Sequence, residues 1–512
     1  MILLLACSAG AFLFAKQIPT SFLPDEDQGY FYVNVQLPKA ASLQRTDAVC
    51  REIESILGQT PGIQYVTTTI GSSLLSGVQS TYSGFLFVTL RPWGERNQKD
   101  LHYQEIKSRL NRELNGLPEA VAYAFSPPAI PGAGASGDIS FVLEDRTGGG
   151  TELLENNIGS FISAARKRPE VAQVNTTFEP HVPQVYIDVD LERALKQGIA
   201  IGDVYETIQT FMGGSFINYF NRFGRDWQVY VQAEGAYRKE LDNLGKFYVR
   251  NANNEMVPLS SVTRIERRTG PEFTMRYNLY SCALVNATPA TGYTSDQVMQ
   301  ALESVFTETM PSGMGYDYLG MSFQEKQAQQ GLPPAAIFGF SLLFVFLILA
   351  ALYESWSLPF SVLLSTPIAV FGAFGMLYLR REVTGAFISP FLVQVENNVF
   401  AQIGLVMIIG LVAKNAILIV EFAKAEYERE IPLADAALTG ARLRLRPIIM
   451  TSFAFILGCV PLWAASGSGS VARQVMGTTV IGGMLGASLI AVFLIPVSFV
   501  LIESLAKQRR KE

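Results

Sequence analysis

Apolar positions are unevenly spread along the chain, and their spacing divides it into two kinds of segment. Residues 335–353, 358–379, 399–423, 447–466 and 476–503 are long, nearly unbroken apolar runs. Each holds about 20 residues or more, enough to cross a hydrocarbon layer roughly 30 Å thick as a helix. A shorter run, MILLLACSAGAFLFAK, opens the chain. It lacks the charged start of a signal peptide, and its LLAC run resembles a lipoprotein box without that start. We take it as the outer half of a membrane helix. The stretch between, 17–334, has ordinary polar–apolar mixing and reads as a large water-exposed body.

Within that body the period changes repeatedly. YFYVNVQLP (30–38) alternates as a strand does, and 41–57 carries helical spacing through Val49, Ile53 and Ile56. Residues 63–69 and 84–90 are rich in strand formers, 98–114 return to a helical pattern, and 120–125 form a short strand. The order is β-α-β-β-α-β, a split βαβ motif. A second such unit begins at DISFVLED (138–145). It continues through a helix at 151–168 and strands near 171–176 and 184–190. Its closing helix and strand come only at 294–308 and 315–319. The insertion between, 191–280, holds a helix near 202–212. SFINYF and WQVYVQAE then form a hairpin turning near Phe223, Gly224 and Arg225.

Composition adds sidedness. The net charge is −5 with no basic patch outside short flanks, which argues against a nucleic-acid partner. Lys424, Arg429, Arg442, Arg444 and Arg446 lie between the third and fourth full apolar runs. Lys507, Arg509, Arg510 and Lys511 end the chain. Basic flanks face the cytoplasm, so counting crossings back places 17–334 outside, in a Gram-negative cell the periplasm. The four cysteines are widely spaced, with no metal-ligand pattern; a Cys50–Cys282 disulfide is left open.

Enzyme signatures are scarce. The two histidines, His102 and His181, are isolated, and no HExxH, GxSxG or Walker loop is present. His102 starts a polar helix and reads as a surface residue. PDEDQG (24–29) reads as a solvated acidic turn just outside the membrane. The exception is Lys414, inside GLVAKNAILIVEFAK (410–424). It lies some ten residues, about 15 Å, from the cytoplasmic end of its run, too far to snorkel easily. An unpaired charge there costs at least about 2.5–3.5 kcal/mol, and such residues mark ion relays in transporters. Its partner should be an acid, yet no Asp or Glu lies mid-span; Glu354 and Glu421 sit near helix ends. On the next helix Arg444 and Thr451, seven apart, share a face, and Pro447 is placed in its first turn. Gly482 and Gly486, at GxxxG spacing, predict close helix packing.

GLVAKNAILIVEFAK, RLRLRPIIMTSFAFILGCVPL (442–462), ALYESWSLPFSVLLSTP (351–367), SFLPDEDQG, FMGGSFINYF and YLGMSFQEK together resemble the resistance–nodulation–division superfamily. The nearest likeness is to its hydrophobe/amphiphile efflux branch, and it covers nearly the whole chain. It is identified as similar to the C-terminal half of such a pump. The implied fold is an α-helical membrane bundle of five full helices and a partial one, with a large α+β periplasmic region. That region would hold two ferredoxin-like (βαββαβ) porter subdomains and an inserted docking subdomain. Residues 1–16 would end the seventh membrane helix and 17–137 form one porter subdomain. Residues 138–190 with 281–330 would form the second porter subdomain, and 191–280 the docking subdomain. Helices eight to twelve would occupy 331–505, and 506–512 form a cytoplasmic basic tail.

The resemblance implies a proton-driven inner-membrane exporter of drugs and amphiphiles, not an enzyme, with no cofactor beyond the proton gradient. Its implied partners are two further copies in a homotrimer, a periplasmic membrane-fusion adaptor, an outer-membrane channel, and an N-terminal half carrying the relay aspartates. Lys414, Arg444 and Thr451 match relay positions. Phe85 and Phe87, with Ile139, Phe141 and Leu143, match substrate-pocket positions. The loop GSSLLSG, from Gly71 to Gly77, matches a switch loop, with Leu74 and Leu75 where some relatives carry phenylalanine. By pattern alone Phe85, Phe87 and Phe141 would be core. The connection 385–397 looks longer than usual. An exporter of lipids or other metabolites, or a non-transporting remnant or assembly subunit, is the alternative.

Overall fold

A computed structural model describes residues 2–96, 98–290, 292–387 and 395–509. The middle of the long connection expected at 385–397 and the last three residues of the basic tail lie outside these. The chain begins with helix α1 (Ile2–Gln17). The first α/β segment follows: β1 (Tyr30–Gln36), α2 (Leu43–Gln59), β2 (Ile63–Ser72), β3 (Gln79–Leu90), α3 (Tyr103–Leu114) and β4 (Val121–Phe125). The second starts with β5 (Ile139–Asp145), α4 (Thr151–Ala165) and β6 (Val171–Thr176). A separate set comes next: β7 (Val182–Val189), α5 (Leu191–Lys196), α6 (Ile201–Ile208), β8 (Ser215–Arg222), β9 (Arg225–Val231), α7 (Gly235–Arg238), β10 (Tyr248–Arg250), β11 (Met256–Pro258) and β12 (Thr263–Gly270). The second segment resumes with β13 (Met275–Tyr277), β14 (Tyr280–Pro289), α8 (Ser295–Thr309), β15 (Met314–Tyr318) and α9 (Gly320–Gln330). The apolar helices are α10 (Pro334–Tyr353), α11 (Leu358–Leu363), α12 (Thr366–Phe387), α13 (Val399–Glu428), α14 (Leu433–Trp463), α15 (Ser470–Gly486) and α16 (Val492–Arg509).

The first sheet is antiparallel in the order β2-β3-β1-β4. Alternate residues of its strands, Phe31, Val33, Leu86 and Val88, join Ile53, Leu57, Ile106 and Leu110 of α2 and α3 in a closed core. The second sheet repeats this order as β6-β14-β5-β15, with β13 also on β14. Local chemistry fixes the helix starts. Ser42 Oγ accepts from Arg45 N ahead of α2, and Thr294 and Gln297 form a capping box ahead of α8.

Two boundaries differ from the sequence reading. The strand expected at 184–190 in the second sheet is β7, which pairs along its whole length with β12, from Val182↔Gly270 to Val189↔Thr263. The inserted unit is therefore 179–273 rather than 191–280. The place in the second sheet is filled by β14, whose apolar residues Ala283, Val285 and Ala287 reach the core there. The inserted unit has its own core, including Ala194, Ile199, Val204 and Leu259. Its hairpin β8–β9 turns at Phe223 and Gly224, as expected, both with positive φ (56° and 69°). That conformation suits a two-residue hairpin.

Five helical spans are long and apolar enough to cross a membrane. The second is broken between α11 and α12. The fourth starts well before its apolar run: α14 opens at Leu433, so Pro447 lies inside it and not in its first turn. The amphipathic stretch 433–446 continues the helix on the polar side of the apolar run, a pattern that hydropathy alone does not mark. α12 and α15 pack through glycine. A Cβ on Gly482 would stand 2.6 Å from the Gly372 carbonyl oxygen, and one on Gly486 2.9 Å from that of Ile368.

Candidate functional site

Lys414 lies on α13 with Ile403, Met407 and Gly410, at spacings of four, three and four residues, so these form one stripe. All four are exposed, whereas Val412, Ala413, Asn415 and Ala416 are buried against other helices. Among the described residues no acid forms an ion pair with Lys414. Asn415 Nδ2 donates to Ser452 Oγ at 3.3 Å. This bond puts Lys414 and Thr451 at the same depth on α13 and α14, both exposed. Thr451 Oγ1 donates to the Ile448 carbonyl at 3.0 Å. Arg444 lies elsewhere: its guanidinium carbon sits 3.7 Å from the ring centroid of Phe422. Phe422 is eight residues, about 12 Å, along α13 from Lys414. The structure puts Lys414 and Thr451 at one depth on neighbouring helices and keeps Arg444 about two turns away.

The pocket residues fall into three environments. Phe85 and Phe87 are half-buried, on the face of the first sheet opposite its core. There they meet Tyr30, Tyr32 and Phe125. Tyr30 stacks on Phe87 at 4.8 Å between centroids, and Tyr32 lies 5.6 Å from Phe87 and 5.5 Å from Phe125. The register explains this, since Tyr32 stands directly between Phe87 and Phe125 on its two neighbouring strands. The tyrosines and Phe125 were missed in the sequence. Their signal is the alternation of YFY and VAYAF, which puts aromatics on the face away from the helices.

Ile139, Phe141 and Leu143 do not line an open surface alongside them. Phe141 and Leu143 are fully buried in the second core, where Phe141 stacks on Phe161 at 5.3 Å and on Tyr316 at 5.2 Å. For Phe141 and Leu143 the expected pocket role is corrected to packing, because alternate residues of β5 face its helix-covered side. Ile139 also borders a cavity. Leu74 and Leu75 are half-buried in the tip of the β2–β3 hairpin, between Gly71 and Gly77, both of positive φ. The tip is closed by Ser73 N to Val78 O and Gly77 N to Ser73 O, each 3.0 Å. Phe85 lies six residues up the strand from Gln79, about 20 Å at strand rise, so the hairpin itself does not bring tip and aromatics together.

The acids of PDEDQG are not a solvated turn. Asp25 accepts from Lys107 Nζ at 3.3 Å and from Ser126 Oγ at 3.2 Å. Asp27 pairs with the buried Arg96 at 2.9 Å. Glu26 accepts from the backbone N–H of Ala472 at 2.7 Å and of Val471 at 3.3 Å. It thereby caps the start of α15, where a helix favours negative charge. Burial raises the Glu26 pKa, and these bonds oppose that. The segment fastens the base of the α/β region to a membrane helix. All four cysteines are free thiols, so no Cys50–Cys282 disulfide forms.

Apolar helices of spanning length joined to two like-ordered α/β sheets define an integral membrane protein with a large extramembrane region. The chain belongs to the AcrB/AcrD/AcrF family, whose pattern matches residues 1–503, and thus to the RND efflux transporters that its sequence motifs resemble. It is 39% identical over 502 residues to the multidrug/solvent efflux pump membrane transporter MepB of Pseudomonas putida, covering 98% of this chain and 46% of that protein. It is 36% identical over 498 residues to the multidrug export protein AcrF of Escherichia coli (strain K12), covering 96% and 46%. To the multidrug resistance protein MdtF of that same Escherichia coli strain it is 37% identical over 516 residues, covering 100% and 48%. The chain spans a little under half the length of these relatives.

Proposed function

We propose that the chain supplies the C-terminal half of a proton-driven efflux pump for hydrophobic and amphiphilic compounds in a Gram-negative inner membrane. The observation that carries this is Lys414. It is a cation at mid-helix, exposed on one stripe of α13, with no acid paired to it among the described residues. A charge held there at a cost of several kcal/mol marks a relay. Its acids would come from an N-terminal half that covers the α13–α14 stripe. Proton binding to those acids would release Lys414, and the helices would change position, a two-state bias set by proton occupancy.

The two sheets of order 2-3-1-4 are read as ferredoxin-like porter subdomains and the 179–273 unit as a docking element. The half-buried aromatic face built by Tyr30, Tyr32, Phe85 and Phe87, backed by the buried Phe125, is the surface suited to flat apolar substrates. Basic flanks at both ends of the α13–α14 connection and in the tail favour a cytoplasmic C-terminus, with 17–334 in the periplasm. In this reading the chain works in a homotrimer with a periplasmic adaptor and an outer-membrane channel.

The test is dye export and drug resistance in an efflux-deficient host producing the transporter with Lys414→Ala or Lys414→Arg. Loss of export in Lys414→Ala, at unchanged protein level, is expected. Full resistance in that variant would remove the relay role.

A further inference from the structure

Between α1 and β1 the chain runs as an irregular segment whose residues are bonded, one after another, to elements remote in sequence. Asn397 N donates to the Pro19 carbonyl at 3.0 Å and Val399 N to that of Phe22 at 3.3 Å. Thr20 and Asn397 form a parallel bridge. These bonds fasten residues 19–22 to the start of α13, whose N-cap is Asn398. The Phe22 N–H in turn donates to Glu325 of α9. The acids follow. Asp25 pairs with Lys107 on α3 at 3.3 Å and Asp27 with Arg96 at 2.9 Å, while Glu26 between them reaches the first turn of α15. Gln28 Nε2 donates to the Pro128 carbonyl, in the β4–β5 connection, at 2.9 Å. Pro19 and Pro24 each fix a φ angle within the segment.

The helices at its other end are keyed to one another. A Cβ on Gly404 of α13 would stand 3.0 Å from the Thr479 side chain of α15, and one on Gly483 of α15 would overlap Ile408 of α13. Packing that close leaves no slack between the two helices. Lys414 lies ten residues, about 15 Å, along α13 from Gly404. A second contact backs the Glu26 bond. Trp93 lies between the end of the acidic segment and the α14–α15 connection: a Cβ on Gly29 would stand 3.2 Å from its indole, and one on Gly467 3.9 Å. On the α/β side the Asp27–Arg96 pair is held away from water, with side chains 22% and 2% exposed, where breaking a charged pair is costly.

We propose that residues 18–28 are the strap that carries movement of α13 and α15 into the first α/β segment during transport, and that Glu26 is its positioning residue. This rests on the efflux reading and names the part that links the Lys414 helix to the sheet bearing the aromatic face, whose first strand starts two residues after Gln28. A carboxylate at a helix N-terminus is held by two N–H donors and by the favourable end of the helix dipole. It ties the strap to α15 with no covalent link between them. When α15 shifts with α13, Glu26 shifts with it, and Asp25 and Asp27 pass the shift to Lys107 and Arg96. With both ends gripped, the displacement passes on as a rigid-body movement instead of being absorbed in a loose linker.

The test is the rate of dye export over a range of dye concentrations in an efflux-deficient host, divided by the amount of folded transporter, for wild type, Glu26→Ala and Glu26→Gln. Glu26→Ala should lower Vmax per folded molecule at least about tenfold with KM within about twofold of wild type, because binding is left intact and the movement that follows it is lost. Glu26→Gln keeps the length and one acceptor oxygen but not the charge, and its Vmax should fall between the two. A purely structural role would lower the amount of folded protein and leave Vmax per folded molecule at the wild-type value, and that result would overturn the proposal. Should Glu26→Ala not fold, Glu26→Gln decides: a loss of about threefold in Vmax per molecule is expected, and the wild-type value overturns the proposal. Equal Vmax in an exporting wild type and in Glu26→Ala removes the strap and leaves the efflux reading standing. No export by the wild type removes both.

Discussion

At the scale of single residues, the same letters carry different duties depending on which face of a strand they meet. Phe87 and Phe141 are both phenylalanines in alternating strands. Phe87 is stacked on Tyr30 on the open face of its sheet, and Phe141 is sealed between Phe161 and Tyr316. Phe141→Ala should cost about 3–5 kcal/mol of stability, read as a lower melting temperature and reduced yield, with no change in substrate order. Phe87→Ala should fold normally and lose export of flat aromatic compounds selectively, read as a changed resistance profile. Equal behaviour of the two variants would contradict this division. The distinction was not legible in GFLFVTL or DISFVLED, because alternation shows that two faces exist and not which one the helices cover. Lys414 was legible because a cation in an apolar run is anomalous whatever surrounds it. The acids of PDEDQG were misread for the opposite reason. Three adjacent carboxylates look solvated, and their partners Lys107, Arg96 and the start of α15 lie far along the chain, the last 446 residues away.

At the scale of elements, helix and strand identities followed the periodicity, and the errors fell where two elements compete for one place. β7 alternates as a member of the second sheet would, yet its eight pairs go to β12. Nothing in a single strand tells which partner it will meet. The start of α14 was placed late because Pro447 suits a first turn, and the amphipathic residues before it were outside the apolar signal. Close helix packing was legible from Gly482 and Gly486, and the structure supplies the partner, α12. Their Cβ positions are occupied by backbone of α12, so Gly486→Val should force the helices apart. Thermal unfolding in detergent should then fall by several degrees, whereas substitution at the open Gly458, which meets nothing within 4 Å, should leave it unchanged. A Gly486→Val protein as stable as wild type would show that this contact is dispensable.

At the scale of the whole molecule, ionisable groups are placed in two layers, Lys414 within the helices and the buried Asp138 and Glu325 at the foot of the α/β region. These two carboxyls predict an unusual pH dependence. Burial pushes Asp138 up to about 6 and Glu325 up to about 7, from ordinary values of 3.8 and 4.5. The folded chain thus holds these protons more tightly than the unfolded one. Their contribution to stability is fully present below about pH 4 and is lost as pH rises through 6 and 7. Their part of the melting profile should fall from pH 5 to pH 8, and Asp138→Asn/Glu325→Gln should remove that part. An unchanged profile in the variant would contradict the assignment. The account turns most directly on whether Lys414 couples substrate to protons. Proton flux should be followed in energised inverted membrane vesicles from cells producing the transporter, by the fluorescence of a pH-gradient dye. Adding an exported substrate should discharge the gradient faster with wild type, and this extra discharge should vanish with Lys414→Ala. Equal substrate-driven discharge in the two would contradict the account.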